Sequence, residues 1–185
     1  MAEYYLISQL PSLDGISDTV PMPITEARFL ELCERFLGRK AQQEIQKLTL
    51  VPPLSPKISG SNLVNAWNDG ERKLRLALGK VRAEKMKTSF AVENTAISAE
   101  LVRVAGTAAE MKSPMEAEKF LSDYRLSFLE TLRPMDNFSD DYLYYYGLKL
   151  KLLLRMRQFD KTLGEAAYKN MYHSILNEDR LEATI

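Results

Sequence analysis

The sequence predicts an all-α fold, an irregular bundle of about seven helices around a Leu/Tyr-rich central helix. Three observations predict it. Ser139 to Arg157 reads as a helix cap, two acids, a dense run of Leu and Tyr, and a basic end, the order that an N-cap and the helix dipole favour. Apolar residues recur every three or four positions over 63–81 and again over 97–111, the period of a helix face. The one run that alternates as a strand would, Leu148-Lys149-Leu150-Lys151-Leu152, has no β-branched residue and consists of strong helix formers.

Taken in order, Tyr4–Leu10 is a short apolar segment that period alone leaves open between strand and helix. Pro11–Pro23 holds Gly15 and three prolines and reads as a surface connection. Thr25 is expected to cap a helix with Glu26 in its first turn; Phe29, Leu30, Cys33, Phe36 and Leu37 form its buried stripe, and Gly38 stops it. Ala41, Ile45 and Leu48 mark one face of a second short helix. Val51-Pro52-Pro53-Leu54-Ser55-Pro56 excludes a helix, and a sub-lobe boundary is expected near 51–60 of what is otherwise a single helical domain, 1–185.

Ser61 or Asn62 then caps a long helix to about Lys87, with Leu63, Trp67, Leu74, Leu78 and Val81 on its stripe. Ile97, Leu101, Val104, Ala108 and Met111 define the next. Ser113-Pro114-Met115-Glu116 places Ser at N-cap, Pro at N1 and Glu at N3, a capping box; Phe120, Leu121, Tyr124 and Phe128 line the helix that follows, which ends near Leu132. After the central helix, Gln158-Phe159-Asp160 marks a bend. A final helix through Leu163, Ala167, Met171 and Ile175 closes the chain, with fraying expected from Asn177.

Of 185 residues, 25 are Lys or Arg and 25 are Asp or Glu, so no overall field favours nucleic acid or an anionic membrane. The single cysteine, Cys33, rules out an internal disulfide framework and fits a reducing compartment. The N-terminus does not read as a signal peptide, and no apolar run approaches the roughly 20 residues of a bilayer span. A cytoplasmic protein is expected.

Catalytic chemistry has few groups to draw on. His173 is the only histidine and stands without metal-ligand spacing. Cys33 lies in an apolar stripe, where a thiol is inert. Gly79 and Gly147 are isolated rather than part of a phosphate loop. Asp140 with Asp141, and Glu178 with Asp179, are neighbours that diverge around a helix. A non-enzyme without cofactor or metal is expected.

Asn65, Asn68, Arg72, Arg75, Gly79 and Arg82 fall at helical spacing on one ridge. Three arginines there suit an acidic partner surface; a solvated face, with Glu71 and Glu84 sharing charge, is the reading that the residues themselves favour. Tyr142, Tyr144, Tyr145 and Tyr146 span most of a turn, so some face the core and others an interface or solvent. Lys149, Lys151, Arg155 and Arg157 suit phosphate contacts or snorkelling from a buried helix.

The opening Tyr4-Tyr5-Leu6-Ile7-Ser8-Gln9-Leu10-Pro11-Ser12-Leu13 and the segment Pro23-Ile24-Thr25-Glu26-Ala27-Arg28-Phe29-Leu30-Glu31-Leu32-Cys33 resemble a little-characterised bacterial family encoded among V-type ATP synthase subunits. Asn68–Arg75 with Val81–Met86, and Phe138–Leu143 with Tyr146–Arg155, are similar to two helices of the V/A-type ATP synthase C subunit (the d subunit of eukaryotes). The first resemblance spans most of the chain, the second only those helices. Together they imply a non-catalytic helical subunit or accessory protein of a V-type ATP synthase, in its most specific form a coupler of the central stalk like the C subunit. Its partners would be other subunits of that complex, reached without a membrane span of its own and without nucleic acid, so that it is peripheral to the membrane through the complex. The arginine ridge (Arg72, Arg75, Arg82) would be the first contact surface and Lys149 with Lys151 the second. A stand-alone helical adaptor or assembly factor is the alternative.

Overall fold

Serine and threonine side chains set the starts of five helices in the computed structural model. Thr25, Ser61, Ser98, Ser113 and Ser139 each accept a hydrogen bond from the backbone N–H three residues on, satisfying a donor that the first turn leaves without a partner. The helices are α1 (Ala2–Gln9), α2 (Glu26–Phe36), α3 (Arg39–Gln46), α4 (Asn62–Lys85), α5 (Ala99–Glu110), α6 (Pro114–Thr131) and α7 (Asp140–Arg157). The structure describes residues 2–16, 20–53, 59–90, 97–158, 164–165 and 167–172, with backbone only at 2 and 3. Among the described residues there is no strand, and 164–165 and 167–172 are also helical. The fold is an all-α bundle.

α7 lies at its centre, against α2, α3, α4 and α6. Leu143, Leu148, Leu150 and Leu152 are each at most 1 % exposed, which explains a sequence apolar on nearly every side. Gly147 lets α2 and the residue just past the end of α3 approach closely: a Cβ there would lie 3.0 Å from Leu48 Cδ1 and 3.1 Å from Phe29 Cε1. Tyr4–Leu10, left open by its pattern, is helical and buries Leu6 completely.

Two apolar cores share α4 and α6. One gathers α1, α2, α3 and α7 with Leu63, Val64 and Trp67 of α4 and Leu129 of α6. The other joins Leu74, Leu78 and Val81 of α4 to Leu101, Val104 and Ala105 of α5 and Leu121 of α6. The change from one core to the other therefore occurs inside α4 and α6. Of the expected boundary at 51–60, residues 54–58 lie outside the described residues.

Several local expectations are corrected. Gly38 does not end α2: it has an ordinary φ of −70° and is the N-cap of α3, while extended Leu37 ends α2. The Gln42 side-chain amide donates to Glu34 O and Leu37 O at 2.8 and 2.7 Å, so a residue of the next helix supplies the cap. On α2 the buried residues are Phe29, Leu32 and Cys33, with Leu30 and Phe36 half-buried. On α6 the buried face is Leu121, Ser122, Arg125 and Leu129, with Phe120, Tyr124 and Phe128 half-buried. α4 stops with Lys87 at φ +53° and Thr88 N donating to Ala83 O at 3.0 Å, a left-handed end made without glycine. Ala167 and Met171 are helical, as expected, and exposed. Phe159, Asp160, Leu163, Ile175 and the tail from Asn177 lie outside the described residues.

Candidate functional site

The α4 stripe Leu63, Trp67, Leu74, Leu78, Val81 has a charged residue between its apolar members. Glu71, four residues after Trp67 and three before Leu74, is 2 % exposed. It faces Arg125, 6 % exposed, which sits between Leu121 and Leu129 on α6. Arg125 Nε and Nη2 donate to the two Glu71 oxygens at 2.9 and 3.1 Å, the fork geometry that guanidinium and carboxylate share. Arg75 Nε adds a third bond to Glu71 at 2.9 Å. Arg125 Nη1 reaches Glu118 at 3.5 Å, and Glu118 accepts from Arg155 Nη2 of α7 at 2.6 Å. An alternating chain of charges thus crosses the bundle where the two cores meet.

A second buried cation lies on α7. Lys149 is 7 % exposed, and its Nζ contacts Asp14 Oδ1 at 2.5 Å, Glu130 Oε1 at 2.7 Å and the Tyr145 hydroxyl at 3.2 Å. Tyr145 donates to Glu130 at 2.7 Å, and Tyr146 donates to Pro11 O at 2.9 Å. These bonds tie the 11–14 connection and α6 to the central helix. Hydrogen bonding from Lys149 holds the Asp14 carboxyl below its ordinary value against a burial effect of opposite sign. Burial raises Glu130, but the bonds from Lys149 and Tyr145 outweigh it and the net direction is down. Burial alone would lower Lys149; its bonds to Asp14, Glu130 and Tyr145 reverse that and raise it.

A pH dependence follows. Carboxyls held below their ordinary values contribute stability that is complete above the normal carboxylate range and is lost as pH falls through the depressed values. The melting temperature should fall between about pH 5 and pH 2. Lys149→Met, less stable at pH 7, should show a shallower fall over the same interval in calorimetry. Parallel slopes would show that Lys149 is not what depresses the two acids.

These networks relocate the residues that the sequence marked for partners. Lys149 is inside the bundle, because Leu148 and Leu150 bury the helix around it and its ammonium must find carboxylates. Lys151 is half-buried and pairs with Glu26. Arg75 is tied to Glu71, and Arg72 lies 3.8 Å from Asp69. Arg82 is exposed. The ridge is thus partly structural, and reversing all three arginines would set a new acid against buried Glu71. Arg155 is committed to Glu118, and Arg157 to the backbone oxygen of Val20. The sequence pattern puts Glu71 on a solvated face and does not single out Arg125, yet both are buried, and each interrupts an apolar stripe at its own spacing.

Two surface features remain. A groove of about 670 Å³ runs between α4, the start of α5 and α6, and its lining includes Leu74, Leu101 and Phe128 together with Glu71 and Arg125. Elsewhere Tyr4 stacks on Phe138 with ring centroids 4.7 Å apart, and Tyr5 meets Tyr4 edge-on at 6.4 Å. Tyr4, Tyr5 and Phe138 are 57, 61 and 49 % exposed, and Met135, three residues before Phe138, is fully exposed. Asp136 holds this turn by accepting from Phe138 N at 2.9 Å.

Burial pushes the Cys33 thiol up to about 12, so it stays protonated at neutral pH. His173, Glu178 and Asp179 lie outside the described residues. Among the described residues no three His, Cys, Asp or Glu side chains converge to hold a metal ion, and no helix is long and apolar enough to cross a membrane. Compared with protein families, functionally described proteins and solved structures, the chain returns no match.

Proposed function

We propose that the chain is a non-catalytic helical subunit or accessory protein of a V-type ATP synthase, acting as a rigid spacer that binds other subunits of the complex, with a central-stalk coupler like the C subunit as its most specific form. The observation that carries this reading is where the resembling segment lies. Tyr4–Leu13, which is like the family encoded with those subunits, turns Tyr4 and Tyr5 outward, with Tyr4 stacked on Phe138, and exposed aromatics of this kind anchor protein interfaces. The buried charges Glu71, Arg125 and Lys149 find partners within the chain, which suits a body that transmits position rather than one that titrates.

Copurification tests the proposal. A tagged chain expressed from its native locus should retain the ATP synthase subunits in stoichiometric amount, and Tyr4→Ser with Phe138→Ser should reduce that yield. A chain recovered without those subunits would be read instead as the stand-alone adaptor.

A further inference from the structure

Gly79, isolated in the sequence, seats an aromatic ring in the fold. α4 ends with Lys87 in the left-handed region, and Thr88 N donates to Ala83 O, so the chain doubles back along the helix. Phe90 then meets Gly79: a Cβ on Gly79 would lie 2.6 Å from Phe90 Cζ and 3.1 Å from its Cε2. Only glycine leaves room for that contact. The ring is nonetheless 44 % exposed, and Met86, two turns beyond Gly79 on the same side of α4, is 72 % exposed.

Arg72, Arg75 and Arg82 share this face with Gly79, so the ring stands among cations. Arg82 and Lys87 are exposed, and among the described residues their side chains have no hydrogen-bond or ion-pair partner. Arg72 is incompletely satisfied too. Its Nε is buried without an acceptor, and its Nη1 is 3.8 Å from Asp69, beyond hydrogen-bond length. Arg75 gives its Nε to Glu71, yet its side chain is 39 % exposed. Glu84, the acid nearest to Arg82 in sequence, lies about 140° from Gly79 around the helix.

We infer that this face, the exposed pair Phe90 and Met86 with Arg82 and Lys87 beside them, docks an acidic amphipathic helix of a partner protein. Charge complementarity selects that partner: cations left unpaired by their own chain meet carboxylates, and a guanidinium takes a carboxylate by two bonds. Apolar side chains of the same helix cover Phe90 and Met86. From Arg75 to Met86 the face runs about 16 Å along α4, about three turns of a docked helix. An anionic membrane fits less well, because two free cations and two apolar side chains fall short of stable attachment. A nucleic acid, held through its phosphates, asks for more cations still. The inference deepens the proposed binding role and rests on it only for the partner's being an ATP synthase subunit.

The probe is an amphipathic helical peptide of Glu, Leu and Ala, with a copy carrying Gln for Glu as control, followed by amide chemical shifts of the full chain. Saturable shifts confined to 75–90 are expected with the acidic peptide, and binding about tenfold weaker with the neutral one. Arg82→Gln with Lys87→Gln, which removes no side-chain bond within the described residues, should weaken binding about fivefold. Phe90→Ser should weaken it about tenfold. Gly79→Ala, whose methyl displaces the ring from its seat, should act in the same direction. No saturation, equal binding of the neutral peptide, or unchanged affinity in any of these variants overturns the site. Tighter binding to phosphatidylserine vesicles or to duplex DNA than to the acidic peptide overturns it as well. If the acidic peptide binds as expected but the ATP synthase does not copurify, the docking face stands and the complex reading falls. Copurification with no response to the peptide gives the reverse.

Discussion

Arg125→Met is expected to cost about 3–5 kcal/mol of folding free energy, because it leaves the Glu71 carboxylate buried without its bidentate partner. Glu71 is 2 % exposed, and the one bond it would retain comes from Arg75, whose side chain is 39 % exposed. Domains of this size have about 5–15 kcal/mol in all, so the loss should appear directly as a lower urea midpoint. Glu71→Leu combined with Arg125→Met should recover most of it, since replacing both charges with apolar groups removes the desolvation cost together with the attraction. Glu118 keeps Arg155 in that double variant. A single substitution costing under about 1 kcal/mol would place the pair with surface ion pairs and refute the argument.

Trp67→Ala should be the most damaging apolar truncation, at about 3–5 kcal/mol. Trp67 is 1 % exposed, and its ring stacks on Phe128 with centroids 6.2 Å apart. It belongs to the core around α7 and stands one turn before the Glu71–Arg125 bonds. The cavity would therefore open beside the buried ion pair and loosen both. Trp67→Phe, which keeps a ring against Phe128, should lose much less. Denaturant curves followed by circular dichroism measure this, as Trp67 is the only tryptophan and its fluorescence goes with it. Equal losses for Ala and Phe would show that the ring contact contributes little.

The starts of the helices are legible in the chain because they are local. Thr25, Ser61, Ser113 and Ser139 act over three residues, and nothing distant is needed to satisfy those donors. The stripe of α4 is equally plain. The stripe of α6 misleads because Phe120, Tyr124 and Phe128 are larger than Leu121 and Leu129, and residue size suggests the wrong face. Burial follows from the neighbouring helices, and these select the side that carries Arg125. Gly38 misleads for the same reason: the cap of α2 comes from Gln42, which only the packing of α3 beside α2 brings within reach.

By itself the sequence determined the helical class, the capped starts and the central place of the Leu/Tyr-rich helix, all consequences of periodicity and of bonds within one turn. Tertiary structure alone decided which charges serve the fold and which face outward. Lys149 and Arg75 look like surface cations in the chain, yet Asp14, Glu130 and Glu71 claim them. Asp140 and Asp141 are the helix-start acids that the chain suggests, and they also share a recess with Glu44 and Tyr144. The physical reason is that the free energy of a charge depends on what surrounds it in space, and residues distant in the chain supply those surroundings.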